Sequence, residues 1–220
     1  MRLAGAELLT GVCSTVSNNV ACALPLPAAA HRGGVRARQS RSLPASCTTK
    51  SDVCNALALL GSSPGASEVL AAVGDELPRW RRNPALATVT LSALARNRRP
   101  QVALQVLELM LAQCVEVNVF HYNSAISACE KAGEWQRASS VLSIMSVAGV
   151  MPNVVSYSTC MSSCEKGFQW QLALNLLCTM PRASVVPNEF SCNSAISACE
   201  KGLQWHLALG LFCKMPGLRL

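Results

Sequence analysis

The sequence predicts an all-α chain, a right-handed α-solenoid of stacked helix-turn-helix units, and three observations predict it. The run from Tyr122 to Lys131 returns 70 residues later, nine of its ten residues reappearing in order from Asn193 to Lys201. A looser copy, from Tyr157 to Lys166, lies midway, 35 residues from each. The 35-residue register also holds elsewhere without gaps: Met110, Met145, Met180 and Met215 share one place, Ala103, Ala138, Ala173 and Ala208 another, and Trp135, Trp170 and Trp205 a third. Within each period the apolar residues fall three and four apart, the spacing of one helix face. A single helical hairpin cannot bury both of its apolar faces, so such units must stack.

Residues 1–48 precede the pattern. They hold five arginines against one acid, Glu7, with many alanines and serines, which is the composition of an organellar transit peptide. Residues 49–83 read as a degenerate repeat or N-terminal cap, with helices over 51–60 and 66–77 and a connection from Pro78 to Asn83. The clear units follow as 84–118, 119–153, 154–188 and an incomplete 189–220. In each, a first helix is expected from about Tyr122 to Lys131 or its equivalent. Gly133, Gly167 and Gly202 then come where a left-handed helix end is expected. A second helix starts at the tryptophan, and Pro181 and Pro216 should end or bend it after the methionine. Pro152-Asn153 and Pro187-Asn188 mark the turn into the next unit.

Composition narrows the chemistry. The net charge is +7, but residues 84–220 carry ten basic and seven acidic residues, so the repeats are only mildly basic. The twelve cysteines include no Cys-x-x-Cys pair and no zinc-type cluster with histidine. Cys129, Cys164 and Cys199 recur at the period, as do Cys178 and Cys213, which reads as buried structural thiol. No apolar run is long enough for a membrane span. Asp52 and Asp75 are the only aspartates, and His31, His121 and His206 have no acid or cysteine arranged around them, His121 reading as a surface residue. With no nucleotide-binding glycine loop either, no enzyme, cofactor or metal is expected.

The repeats resemble the pentatricopeptide repeat family. The pattern appears here as Tyr122-Asn123-Ser124-Ala125-Ile126, Lys131, Ala173-Leu174-Asn175-Leu176 with Met180, and Pro187-Asn188. The first unit departs most, with Ala87 for the aromatic residue and Val117 for the proline. The resemblance implies single-stranded RNA binding in organellar RNA metabolism, one base per unit. The base-reading residues it implies are the fifth of each unit, Thr88, Asn123, Ser158 and Asn193, and the last, Asn118, Asn153 and Asn188. By the family's preferences the target is 5′-A-(C/U)-A-(C/U)-3′. Asparagine and serine at a helix start are also ordinary caps. The second residues, Ala85, Phe120, Val155 and Phe190, would sandwich bases, the alternative for the phenylalanines being to fill a core gap.

Arg96, Lys131, Lys166 and Lys201 share the thirteenth place and would form a ladder for phosphates, weakened by the neighbouring Glu130, Glu165 and Glu200. The rival reading is a tetratricopeptide-like protein-binding scaffold, whose usual period is 34 residues. About four bases are too few to select one transcript, so further repeats or a protein partner would be needed.

Overall fold

Each unit forms its hairpin because the same backbone signals recur at the same places. The computed structural model describes residues 64–214, with Val53, Ala56, Leu57 and 59–61 before them. The 1–48 segment, much of the 51–60 helix, Met215 and Pro216 lie outside the described residues. The helices are α1 (Ala66–Val73), α2 (Leu77–Arg82), α3 (Ala85–Arg96), α4 (Pro100–Ala112), α5 (Val119–Ala132), α6 (Trp135–Val147), α7 (Val154–Lys166), α8 (Trp170–Thr179), α9 (Glu189–Lys201) and α10 (Trp205–Lys214). They wind as a right-handed α-solenoid of hairpins α3–α4, α5–α6, α7–α8 and α9–α10.

The first helices α5, α7 and α9 start three residues before the place of Tyr122, because Asn118, Asn153 and Asn188 cap them in extended backbone conformation. Each asparagine side chain accepts from a backbone N–H of the first turn, which satisfies donors that no helical carbonyl can reach. The stop signal is at the fifteenth residue. Arg98, Gly133, Phe168 and Leu203 all take positive φ there, 52°, 77°, 57° and 58°. The second helices end the same way, at Cys114, Gly149 and Ser184, in the thirty-first place. In the third unit Pro181 follows Met180 and turns the chain into a 3-10 turn, Pro181–Ala183.

Two expectations are corrected here. Gly167 and Gly202 are not left-handed; the turn lies one residue later, at Phe168 and Leu203. These glycines are required by packing instead. A Cβ on Gly167 would lie 2.2 Å from Trp135, and one on Gly202 2.3 Å from Trp170, so each indole sits against the helix end of the next unit. The connection from Pro78 to Asn83 is also mostly helix. Pro78 lies in the first turn of α2, where its missing N–H costs nothing, and Trp80 is buried.

Apolar side chains fill the spaces between layers in two clusters. One joins Val53, Leu57, Val69 and Trp80 to Leu91, Val102 and Met110. The other runs from Leu107 through Ile126, Met145, Met161, Leu177 and Cys199 to Leu211. Ala103, Ala138 and Ala173 are fully buried where paired helices approach closely. Cys129, Cys164 and Cys199 are buried, while Cys213, on the last helix, is exposed. On that helix Leu209 and Phe212 are 55% and 64% exposed, whereas Leu174 and Leu177, one period earlier, are covered by the fourth unit. Among the described residues no helix is long and apolar enough to cross a membrane.

Candidate nucleic-acid interface

The capping asparagines place a polar group at the same edge of the second, third and fourth layers. Asn118 accepts from Phe120 N–H at 3.0 Å and His121 N–H at 3.4 Å. Asn153 accepts from Ser156 N–H at 3.0 Å, and Asn188 from Ser191 N–H at 2.9 Å. Capping therefore uses the Oδ1 atom of each, which turns the Nδ2 donors away from the helix. The capping and base-reading expectations concern different atoms of one carboxamide and are compatible.

The fifth residues differ from one another. Thr88 is half-buried on α3, and Asn193 is exposed on α9. Asn123 is half-buried and its Nδ2 lies 3.4 Å from Asn153 Oδ1, so the fold brings this expected pair together. Ser158 is only 3% exposed. Its hydroxyl lies 2.8 Å from Ser191 Oγ, which in turn donates to Asn188 Oδ1 at 2.9 Å. The third unit thus presents its amide, Asn188, and not its serine.

The second residues stand free of the core. Phe120 and Phe190 are 65% and 59% exposed, and Val155 and Ala85 are also exposed. The core-gap alternative for the phenylalanines is excluded. Each exposed ring sits two residues beyond a capping asparagine, so apolar surface and amide donors lie side by side along one edge.

The thirteenth-place cations are not a uniform ladder. Lys166 pairs with Glu130, and Lys201 with Glu165 at 2.9 Å, each carboxylate belonging to the preceding unit. Ser197 adds a hydrogen bond to Glu165 at 2.8 Å. Among the described residues Arg96 and Lys131 make no ion pair; at the place where a preceding glutamate would meet it, Lys131 has Ala95 and Arg96 has Leu60.

His121 corrects its surface reading: it is fully buried. Its Nδ1 accepts from Asn118 N–H at 3.0 Å and its Nε2–H donates to Pro84 O at 2.9 Å, so it completes the capping box as a neutral ring. Burial lowers its pKa below 6.5, against smaller opposing effects of the Pro84 carbonyl and Glu116. Ser156 and Ser191, at the same third place, were not singled out from the sequence. The spacing Asn-x-x-Ser at 153/156 and 188/191 is the signal that could have found them.

The buried thiols Cys129, Cys160 and Cys199 are held protonated. Burial pushes Cys129 up to about 12 and Cys199 to about 11. Cys160 is raised by a hydrogen bond with Cys164 and by burial. No group of three or more metal-ligating side chains converges among the described residues.

Comparison with known proteins gives the same architecture. A family model described as the PPR repeat family matches residues 117–166, and one described as the PPR repeat matches 155–185 and 190–220. The fold is similar to the crystal structure of the PPR domain of Arabidopsis thaliana protein-only RNase P 1 in complex with tRNA. The TM-score is 0.54 and the identity 13%, over 70% of this chain and 82% of that one. It is also similar to the pentatricopeptide repeat protein PPR10 from maize, with TM-score 0.52 and 21% identity, over 66% of this chain but only 21% of that one. No curated protein matches the chain.

Proposed function

Since this chain is a pentatricopeptide repeat protein, we propose that it binds single-stranded RNA along the asparagine-and-phenylalanine edge of its first helices, one base per unit. The observation that carries the reading is the recurrence, at Asn118, Asn153 and Asn188, of an amide whose oxygen is spent on a cap and whose nitrogen is left to donate. Exposed Phe120 and Phe190 are suited to stack on bases, a contact worth about 1–3 kcal/mol per base. The solved neighbour that holds tRNA supports RNA as the ligand class. The assignment of bases follows the family resemblance and gives 5′-A-(C/U)-A-(C/U)-3′.

The role is mechanical, not catalytic. A bound strand is held extended, shielded from exonucleases, or delivered to a partner protein. The arginine-rich, acid-poor 1–48 segment supports delivery to a plastid or mitochondrion, so the proposed setting is organellar RNA metabolism.

Fluorescence anisotropy of the full chain with short RNAs carrying ACAC or GGGG tests this. Preference for ACAC is expected, with the preference at the first base moving toward guanine in Asn118→Asp. Salt-sensitive binding without base preference would remove the code. Failure to bind any RNA at low salt would favour the protein-binding scaffold.

A further inference from the structure

The fifth and last residues account for contacts to a base, but not for what holds their amides in one orientation. We infer that the third residue of the following unit is a positioning residue for base selection: Ser156 for the second base and Ser191 for the third. This rests on the RNA-binding reading above.

Ser156 is fully buried between the two expected readers of the second unit. Its Oγ–H donates to Asn123 Oδ1 at 2.6 Å, and the same oxygen accepts from Asn153 N–H at 3.2 Å. Its backbone N–H donates to Asn153 Oδ1 at 3.0 Å, and Asn123 Nδ2 donates to that oxygen at 3.4 Å. The ring of bonds has one polarity. Turning Asn153 over would set its Nδ2 against the Ser156 N–H, donor against donor. Turning Asn123 over would set its Oδ1 against Asn153 Oδ1, acceptor against acceptor, and leave the Ser156 hydroxyl to Asn153 Oδ1 alone, 3.1 Å away. A carboxamide has a donor end and an acceptor end, so fixing its rotation fixes which base edge it matches. Asn153 is left with outward donors, and Asn123 with one N–H and one lone pair.

Ser191 repeats the arrangement for the third base. It is fully buried, donates to Asn188 Oδ1 at 2.9 Å and lies 2.8 Å from Ser158 Oγ, so the Ser158 hydroxyl is the donor in that bond. The first unit is the built-in contrast. There the third residue of the following unit is His121, whose Nε2–H goes to Pro84 O and not to Thr88. Base selection there is independent of the third residue.

The test is anisotropy of the full chain against four RNAs that differ only at the second base of ACAC, and four that differ only at the third. The unaltered chain is expected to prefer its matched second base by about tenfold. Ser156→Ala keeps the backbone N–H that caps with Asn153 but loses the hydroxyl. It should bind the four second-base RNAs nearly equally while keeping its third-base preference. Ser156→Thr, which keeps a hydroxyl, should restore the second-base preference. Ser191→Ala should show the reverse pattern, losing selection at the third base alone, and serves if Ser156→Ala melts early. An equal loss of affinity for all eight RNAs, or an unchanged second-base preference, would overturn the positioning role while leaving RNA binding standing. No RNA binding by the unaltered chain would overturn both.

Discussion

His121 is neutral because its ring is committed at both nitrogens, and this gives a pH dependence with a definite sign. Its pKa in the folded chain lies below the 6.5 of an unperturbed histidine. The unfolded chain therefore binds a proton more readily, and the stability contributed is complete above about pH 6.5 and is lost as pH falls from there toward the folded value. Urea titrations should give a lower midpoint at pH 5.5 than at pH 7.5. In His121→Ser, which copies the capping box of Ser156 and Ser191, most of that difference should vanish. An equal pH response in the variant would exclude His121 as the cause. The left-handed Phe168 makes a second case. It is exposed, so its side chain contributes little burial, and Phe168→Gly should raise stability by about 0.5–1 kcal/mol in thermal or urea unfolding. Its neighbour should behave in the opposite way. Gly167→Ala sets a Cβ 2.2 Å from Trp135 and should cost about 1–3 kcal/mol.

Between elements, the recurring Glu-Lys pair serves stacking more than phosphate binding. Glu130 and Glu165 hold Lys166 and Lys201 across the α5–α7 and α7–α9 contacts. Such half-exposed pairs contribute about 0–1 kcal/mol each. Their larger consequence is for RNA. Four free cations would give a slope of log K against log salt of about −3, whereas Arg96 and Lys131 alone give about −1.4. Anisotropy across a salt series should return the shallower slope, and the double change Glu130→Gln with Glu165→Gln should steepen it by freeing both lysines. A wild-type slope near −3 would mean that RNA displaces the glutamates.

Across the whole molecule, the last described layer presents a face with the chemistry of a joint. Trp205 is 61% exposed, and no described lysine pairs with Glu200, although Trp170 and Glu165, one period earlier, are each met by the next unit. A chain extended through the end of the fourth period and then by a copy of 154–188 would bring Lys166 and Gly167 equivalents over that face. Its melting temperature should rise and tryptophan emission shift to the blue. The same extension with leucine for the glycine should do neither.

The sequence by itself determined the period, the two helices of each unit, the buried alanines and methionines and the family, because these follow from local spacing repeated four times. It also put Asn118, Asn153 and Asn188 at the turn into the next unit, where each caps a first helix. Only the tertiary structure decided which atoms those residues have left to offer. Ser158 disappears beneath Ser191, His121 turns inward to Pro84, and two of four cations are taken by the preceding unit. Each of these depends on a partner 33 to 37 residues away in sequence, one layer over, where spacing within a unit carries no information. The glycines make the same point. Gly133 is where it is for its backbone, but Gly167 and Gly202 are where they are for the tryptophan of another layer.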